Sequence, residues 1–327
     1  MKRKRGWCVA LTVVVPLLAV LLSGYSVMAQ GKYPAKPIAV IVPWSVGGST
    51  DAVARVGAKI LSEKWGTSVN VTAKPGGKGI PGTVEALSAA PNGYTLRADA
   101  DGSNAVPAAW GKDVPFNIED RTYIAKIAEF PWVIATRADL PWASLDDMAA
   151  AIKANPEGIK WGWLGGTAGA DGPVGQFRAA LKKRGIDVSK VKMVTYPGGA
   201  DLVTALAGGH VDVGSASTTS VGPMYSAGKI KLIAITGNRR FASYPELKTA
   251  VEQGWETVTF QGHVGFSGPK DLSPEIVKAI EDTIKESINT PDVAKELSKI
   301  GAFPAFAGSK DFRAYVLTLA KELKELQ

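Results

Sequence analysis

A strand, a glycine-rich loop and a helix follow one another within residues 38–64, and this unit constrains the fold more than any other feature of the sequence. Its first five residues, IAVIV, are typical of a short buried strand. In the loop, Gly47 and Gly48 allow positive φ angles and let a ligand approach the backbone, and Ser49 or Thr50 is positioned to cap the helix. The loop therefore lies at a helix N-terminus, where unpaired N–H groups and the helix dipole favour an anion.

The loop by itself permits two interpretations. It is either an anion-binding loop or an ordinary strand-to-helix turn, in which the glycines serve the backbone geometry only. The sequence of residues 44–51, WSVGGSTD, contains neither the G-x-G-x-x-G pattern of dinucleotide-binding folds nor the lysine of a phosphate-binding loop. Asp51 would also repel a phosphate group. A nucleotide site is therefore not predicted.

Two later segments repeat this order of elements. The strand-like residues 159–164 precede the glycine-rich stretch 165–172, and residues 191–196 precede the Pro-Gly-Gly sequence at 197–199. Strands that alternate with helices predict an α/β fold with a largely parallel sheet.

Small polar residues follow two further predicted strands. Ser103 and Asn104 come shortly after one of them, and Ser215 and Ser217 lie at the end of the other. The carboxyl ends of parallel strands meet at one edge of a sheet, where α/β proteins bind their ligands. Ser103 and Asn104 are therefore candidate ligand contacts.

The pattern changes after residue 260, where three predicted helices follow one another without recognisable strands. Their apolar residues recur at helical spacing, so we expect these helices to return and cover the first part of the chain. Earlier in the chain, two separate strands are predicted at 122–128 and 132–136.

The N-terminus has the pattern of a secretory signal peptide. Four basic residues at 2–5 precede an apolar run at 9–22, and small residues follow up to Ala29. An uncleaved membrane anchor is the alternative, but the apolar run is short for a membrane span. We expect cleavage after Ala29, which leaves a mature protein of 298 residues (327 minus 29) outside the inner membrane.

Charge and cysteine content exclude several classes of function. The net charge of +8 falls to +4 when the four basic residues of the signal peptide are removed, and no Lys/Arg run or basic–aromatic patch indicates nucleic acid binding. The only cysteine, Cys8, lies in the signal peptide. The mature chain therefore has no disulfide, no thiol nucleophile and no cysteine metal site.

The usual catalytic and metal-binding patterns are missing from the sequence. The two histidines stand far apart, so a metal site would need carboxylates from distant segments. No G-x-S-x-G motif is present. We therefore expect no metal and no cofactor.

Acidic and aromatic residues near the predicted loops leave their roles open. The aspartates either cap helices or bind ligand amines and hydroxyls, and the tryptophans either line a pocket or belong to the core. They are Asp51, Asp99, Asp101, Asp171, Trp44, Trp110, Trp161 and Trp163.

Several motifs follow the signal peptide and together cover the mature chain. In order they are YPAKPIAVIVPWSVGGSTDAVAR, VTAKPGGKG, PNGYTL, TYPGGADLVTALAGGHVDVGSAS and GFSGPKDLSPEIV. This series resembles the Bug (TctC-like) solute-binding receptors of tripartite tricarboxylate transporters.

The resemblance implies a fold and a function. The fold is the two-lobed periplasmic-binding-protein-like (type II) α/β fold, in which crossing strands join two Rossmann-like lobes around a ligand cleft. The first lobe is expected at 30–132 plus 260–327 and the second at 133–259. The function is that of a periplasmic, monomeric receptor, not an enzyme, which closes on a small carboxylate (a di- or tricarboxylate or an aromatic carboxylate) and delivers it to the membrane subunits of a transporter.

The resemblance also implies which residues face the cleft. In the first lobe they are Trp44, Ser45, Val46, Gly47, Gly48, Ser49, Thr50, Asp51, Ser103 and Asn104. In the second lobe they are Gly166, Thr167, Ala168, Ala170, Asp171, Tyr196, Gly198, Gly199, Ser215 and Ser217.

The chain departs from the family pattern at three places. Trp44 stands where Phe or Tyr is frequent, Val174 and Gly175 stand where the family has a histidine, and residues 198–202 replace a Gly-x-x-Pro-Ala run. Two other functions stay open on the sequence: a secreted hydrolase or isomerase that uses Ser45 or Asp51 with a distant base, and an interaction protein without a small ligand.

Overall fold

The computed structural model describes residues 33–111, 114–166 and 168–326. The predicted signal peptide at 1–29 and the candidate site residue Thr167 lie outside the described residues. Within these three ranges, no helix combines the length and the apolar content that a membrane crossing requires.

The described residues form ten strands and ten α-helices. The strands are β1 (Ile38–Val42), β2 (Val69–Ala73), β3 (Thr95–Ala100), β4 (Thr122–Arg137), β5 (Lys160–Trp163), β6 (Lys192–Thr195), β7 (Val213–Ser217), β8 (Ile230–Ile235), β9 (Gln261–Gly268) and β10 (Phe303–Gly308). The helices are α1 (Ser49–Trp65), α2 (Ile80–Leu87), α3 (Ala105–Trp110), α4 (Leu145–Ala154), α5 (Asp171–Lys183), α6 (Gly199–Ala207), α7 (Thr218–Ser226), α8 (Pro274–Ser287), α9 (Pro291–Lys299) and α10 (Ser309–Lys324).

The long strand β4 belongs to two sheets. It pairs with β9 from Thr122 to Pro131 and with β7 from Trp132 to Thr136. The first sheet has the order β2-β1-β3-β9-β4-β10, and the second has the order β6-β5-β7-β4-β8. We call the half built on the first sheet the first lobe and the half built on the second sheet the second lobe.

The prediction of two separate strands at 122–128 and 132–136 is wrong, because β4 is continuous over 16 residues. Pro131 lies where β4 changes its partner from β9 to β7. A proline lacks the N–H that a ladder needs, and here the missing donor falls at the end of one ladder and before the start of the next.

Two strands in the C-terminal part were not predicted. β9 lies in the middle of the first sheet, antiparallel to β3 and β4. A Cβ atom on Gly262 would overlap the Phe130 ring, and one on Gly265 would lie 2.5 Å from the Phe312 ring. Close packing therefore requires glycines that lower the strand propensity of this segment. β10 contains Pro304 and pairs with β4 alone, as edge strands with proline do.

The prediction of a largely parallel sheet holds only away from β4. The pairs β1–β2, β1–β3, β5–β6 and β5–β7 are parallel. Every pair that includes β4 or β9 is antiparallel. The chain passes from the first lobe to the second along β4 and returns to the first lobe at β9. Because β9 lies beside β4 and runs in the opposite direction, the two strands pair antiparallel.

Helices bury the apolar faces of both sheets. α1 packs closely on the first sheet at Gly57, where a Cβ atom would lie 2.7 Å from Ile127 and 2.8 Å from Phe266. α10 covers the first lobe with Phe312 and Val316, as expected for the late helices. In the second lobe, one apolar cluster lies under α4 and α5 and another under α6 and α7.

Candidate functional site

The loop between β1 and α1 is held by the first turn of α1. The Gly48 N–H donates to the Ser45 carbonyl oxygen (3.3 Å), and Gly47 has a φ of 82°, which together form a tight turn. The Gly47 N–H also donates to Asp51 Oδ2 (3.0 Å). The Arg55 guanidinium donates to both oxygens of the same carboxylate at 3.0 Å. Asp51 therefore fixes the loop from within the helix.

The N-cap of α1 differs from the predicted one. Gly48 occupies the N-cap with an extended backbone, and Ser49 and Thr50 lie inside the first turn, where each is 9% exposed. Val46, at the tip of the loop, is 71% exposed. Because Gly48 has no side chain, no capping oxygen from the N-cap stands between the first turn of the helix and the loop.

The loop between β5 and α5 is built in the same way. Gly165 and Gly166 have φ angles of 81° and 74°. The Asp171 carboxylate accepts hydrogen bonds from the N–H groups of Leu164 (2.6 Å), Gly166 (2.8 Å) and Ala168 (3.4 Å). Each lobe therefore uses an aspartate in the first turn of a helix to fold a glycine loop over the N-terminus of that helix.

The two lobes are in close contact beside these loops. A Cβ atom on Gly102, in the turn after β3, would lie 2.9 Å from the Gly169 backbone nitrogen and 3.1 Å from the Trp44 ring. A Cβ atom on Gly169 would overlap the Asp101 carboxylate and lie 2.5 Å from the Trp132 ring. Only glycine fits at these two positions while the lobes stay this close.

Two further first-lobe residues reach the second-lobe loop. Lys78 has a φ of 57°, and its Nζ atom lies 3.4 Å from the position of a Cβ atom on Gly165. The Trp110 side chain lies against Gly166, and its indole N–H donates to the Leu323 carbonyl oxygen (2.8 Å). A cation and an aromatic ring thus lie at the boundary between the lobes.

The four candidate tryptophans lie in three different environments. Trp44 and Trp110 are partly buried at the boundary between the lobes. Trp161 is fully buried in the core of the second lobe. Trp163 is partly buried beside Thr195, to whose hydroxyl its indole N–H donates (3.2 Å).

Ser103 and Asn104 are buried and hydrogen-bonded within the first lobe. The Ser103 hydroxyl accepts a hydrogen bond from Arg97 (3.0 Å). The Asn104 amide donates to Asp99 Oδ1 (2.8 Å) and lies 3.0 Å from His263 Nε2. Both side chains therefore support the turn at Asp101–Ser103 from below.

A buried charge cluster lies under this turn. Asp99 accepts hydrogen bonds from Arg97 (2.6 Å) and Arg121 (3.2 Å), and none of the three side chains is exposed. Burial opposes the charged form of Asp99, but the two guanidinium groups outweigh it and lower the pKa of Asp99 to about 2. Burial lowers the pKa of Arg97 to about 10. The cluster thus holds two cations and one anion.

His263 belongs to the packing of the first lobe. It is fully buried on β9, with its ring edge-to-face against Phe312 (5.8 Å) and Tyr315 (5.1 Å). Burial lowers the pKa of His263 to about 3, so the ring is neutral at ordinary pH. No three His, Cys, Asp or Glu side chains among the described residues are arranged to hold a metal ion.

The remaining second-lobe candidates surround the starts of α6 and α7. Ser217 is the N-cap of α7, and its hydroxyl accepts a hydrogen bond from the Ser220 N–H (3.3 Å). Gly198 and Gly199 begin α6. Ser215 is 1% exposed, and its hydroxyl has no hydrogen-bond partner in the described part of the chain. Tyr196 packs with the apolar cluster under α6.

The structure groups only part of the predicted residues at the contact between the lobes. The two loops contain Trp44, Ser45, Val46, Gly47, Gly48, Ser49, Thr50, Asp51, Gly166, Ala168, Ala170 and Asp171. The sequence did not indicate Lys78, Gly102 or Trp132, and it left the role of Asp101 open. The Asp-Gly pair directly after a buried strand and the left-handed turn around Lys78 are the local signals that could have indicated them.

A family model decides which proteins this chain belongs with. The model of the tripartite tricarboxylate transporter family receptor (TctC) matches residues 53–326. The chain belongs to this TctC receptor family. The match includes elements of both lobes, from α1 to α10.

Individual relatives and solved structures are similar to most of this chain. Protein BugT of Bordetella pertussis is 28% identical over 291 residues, which are 87% of this chain and 86% of BugT. The structure of the periplasmic binding protein BugD gives a TM-score of 0.75 at 25% identity and covers 90% of this chain and 97% of BugD. A structure of an R. palustris protein with adipate gives a TM-score of 0.80 at 22% identity, with the same coverage of each chain. The predicted two-lobed fold of periplasmic binding proteins is confirmed.

Proposed function

We propose that this TctC-family chain is a periplasmic receptor that holds a small carboxylate between its two lobes and delivers it to the membrane subunits of a tripartite tricarboxylate transporter. The family supports the receptor function. The adipate in a structure of the same fold supports a carboxylate as the ligand class. The signal peptide pattern at 1–29 supports the periplasmic location.

The observation that carries this proposal is the convergence of two helix N-termini on the contact between the lobes. The loops before α1 and α5 lie over those N-termini, and residues 101–102 bring the lobes together beside them. Backbone N–H groups and the helix dipoles stabilise a carboxylate there, either directly or through water. Lys78 adds a positive charge beside the second loop.

The predicted site residues have different roles in this proposal. The loop residues Ser45 to Gly48, Gly166 and Ala168 contact the ligand. Asp51 and Asp171 hold those loops, because their carboxylates already accept backbone hydrogen bonds. Ser103 and Asn104 support the turn that meets the second lobe.

We retain the division into a first lobe at 30–132 plus 260–327 and a second lobe at 133–259. It is supported by β4, which exchanges β9 for β7 between Pro131 and Trp132, and by β9, which begins at Gln261. Closure occurs by hinge movement at these crossing strands.

The pairing of Asp51 argues against the hydrolase or isomerase alternative. Its carboxylate is 2% exposed and bound by Arg55 and the Gly47 N–H, so it is poorly placed to act as a base. Recovery of a bound carboxylate without chemical change would support the receptor, whereas turnover would support the enzyme.

The proposal is tested by native mass spectrometry of the mature protein as purified, followed by a thermal-shift screen of small carboxylic acids. A retained or stabilising carboxylate is the expected result, because a ligand that binds only the folded state raises the melting temperature. Stabilisation by neutral or cationic compounds alone would contradict the proposal.

Gly48→Val tests the first loop directly. Gly48 has an extended backbone that valine also adopts, and a Cβ atom there meets only the Ser45 carbonyl oxygen at 3.4 Å. We expect a loss of about 1 kcal/mol in the free energy of unfolding, because valine is a poorer N-cap than glycine, and at least a tenfold loss of carboxylate affinity by calorimetry. Undiminished affinity would remove this loop from the site.

A further inference from the structure

Asp101 differs from the other buried aspartates of the described chain. Asp51 is paired with Arg55, Asp99 is paired with two arginines, and Asp171 accepts three backbone hydrogen bonds. Asp101 is 2% exposed, and its Oδ2 atom has no hydrogen-bond partner among the described residues. No Lys, Arg or His side chain in those ranges forms an ion pair with it. A buried acceptor without a partner is costly in a folded protein.

The position of Asp101 is that of a ligand contact. It begins the turn after β3, and its carboxylate lies against Gly169 in the loop of the opposite lobe. Trp132, at the point where β4 passes between the lobes, lies against the same glycine. Asp101 is thus an acidic group at the closing surface of the proposed ligand site.

The groups around Asp101 provide no positive charge. The backbone N–H groups of Gly102 and His263 and the uncharged Trp132 indole lie against the carboxyl group, while the His263 ring is neutral. Tyr315, on α10, is kept neutral because burial raises its pKa. On β4, Lys126 is already paired with Glu129 (2.6 Å). From the second lobe, Asp171 is the acidic group of the adjacent loop, and its carboxylate is occupied by that loop.

The missing charge has a measurable consequence. Burial disfavours the carboxylate and raises the pKa of Asp101 to about 7. A ligand that carries only carboxylates would place like charges together in the closed state. A ligand ammonium would supply both the counter-ion and the hydrogen-bond donors that Oδ2 lacks.

We propose that Asp101 binds the ammonium group of the ligand, so that the receptor selects an amino-carboxylate over a plain carboxylate. The carboxylate end lies at the loops over α1 and α5, near Lys78, and the ammonium end lies at Asp101. This inference rests on the proposed receptor function and narrows its ligand class. It makes Asp101 a specificity-determining residue.

Matched ligand pairs test the inference. Calorimetry at pH 8 compares glutamate with glutarate, aspartate with succinate, and 4-aminobutyrate with butyrate on the wild type, on Asp101→Asn and on Asp120→Asn. Asp120 is an exposed first-lobe residue paired with Lys270, so its variant controls for the loss of one charge. Asn is isosteric with the protonated form of Asp101, so the variant should fold.

We expect at least one amino-carboxylate to bind the wild type tenfold or more tightly than its counterpart. Asp101→Asn should bind that amino-carboxylate about 30-fold or more weakly than the wild type does, as when one partner of a buried charge pair is removed. Its affinity for the matching plain carboxylate should change less than threefold. Tight binding of the plain carboxylates with no preference for the amino forms, or stronger binding by Asp101→Asn, would overturn the inference and leave the receptor function intact. No binding of any amino-carboxylate would overturn the inference, while the wider screen of carboxylic acids decides the receptor function separately.

The pH dependence gives a second readout. Between pH 8 and 6, protonation of Asp101 competes with the ligand ammonium, so amino-carboxylate affinity should fall in the wild type and stay level in Asp101→Asn. A rise in wild-type affinity over this range would mean that Asp101 repels the ligand, and the inference would be wrong.

Discussion

At the scale of single residues, two glycines set how closely the lobes approach each other. A Cβ atom on Gly169 would overlap Asp101 and lie 2.5 Å from the Trp132 ring, and one on Gly102 would lie 2.9 Å from the Gly169 nitrogen. Gly102 and Asp101 belong to the first lobe and Gly169 to the second, so we expect a Cβ atom at either glycine to oppose the approach of the lobes and not the folding of each lobe.

Gly169→Ala should therefore weaken ligand binding without unfolding the protein. We expect at least a tenfold loss of affinity and a larger radius of gyration with ligand, because the alanine methyl group holds the lobes apart. Calorimetry and small-angle X-ray scattering measure the two effects. Gly222→Ala, inside α7, is the control, since its Cβ atom makes an ordinary contact at 3.5 Å. Equal affinity in both variants would show that closure does not require this contact.

Two buried titratable residues have opposite effects on stability. The pKa of Asp101 is raised from 3.8 to about 7, so between these values the folded chain holds a proton that the unfolded chain has lost, and stability falls as pH rises. The pKa of His263 is lowered from 6.5 to about 3, so the unfolded chain holds the extra proton and stability rises with pH. Each slope is at most about 1.4 kcal/mol per pH unit.

We expect the two slopes to offset each other in the wild type between pH 4 and 6.5. Asp101→Asn should leave a stability that rises with pH, and His263→Gln should leave one that falls. Urea unfolding at three pH values in this range measures the free energies. Identical pH profiles for the wild type and both variants would show that neither group carries its expected proton linkage.

At the scale of elements, the charge cluster under β3 supports the turn that contacts the second lobe. Asp99 neutralises two buried guanidinium groups, and Arg97 and Arg121 also donate to the Ser103 carbonyl oxygen (3.3 and 3.2 Å). Loss of one charge from a buried cluster leaves its partners uncompensated. The cluster therefore connects the stability of the first lobe with the position of Asp101.

Asp99→Asn should lower the free energy of unfolding by about 3–5 kcal/mol, as expected when a buried pair is broken. Because the pKa of Asp99 is lowered in the folded wild type, the stability that its carboxylate contributes is present above about pH 4 and is lost as the pH falls towards 2. The variant has no carboxyl group at this position and should not show this loss. Asp282→Asn, in an exposed pair with Lys278 on α8, should cost less than about 1 kcal/mol. Similar costs for the two variants in urea unfolding would contradict this assignment.

At the scale of the whole molecule, the lobes are joined where β4 changes sheets. Trp132 donates its N–H to the Thr236 hydroxyl (3.0 Å) and accepts the Thr236 N–H (2.9 Å). Thr236 is fully buried and directly follows β8, within the second lobe. These hydrogen bonds hold Trp132, the first residue of β4 that pairs in the second sheet, against the second lobe.

Thr236→Val should remove the acceptor of the Trp132 N–H while preserving the shape of the side chain. We expect about 1–3 kcal/mol lower stability and faster amide exchange at Trp132, because a buried donor is left without its partner. Thr236→Ser retains the hydroxyl and should keep the slow exchange. Hydrogen exchange measured by NMR compares the three proteins, and slow exchange in Thr236→Val would show that this hydroxyl does not hold Trp132 where β4 changes sheets.

Local chemistry determined much of what could be predicted. The bounds of β1 and the glycine loops before α1 and α5 follow from interactions within a few residues, so the sequence predicted them. The motif order also predicted the family and its two-lobed fold.

Only the tertiary structure decided the features that depend on distant partners. β9 contains glycines because Phe130 and Phe312 pack against it, and Pro131 is accepted within β4 because the ladder changes partner there. Distant contacts also decide which buried aspartates have a charged partner. Asp51 finds Arg55 four residues away, whereas Asp101 is buried against a loop nearly 70 residues later and remains unpaired. Sequence specifies the groups a chain carries, but burial and long-range contact determine which charges are compensated and which are left for a ligand.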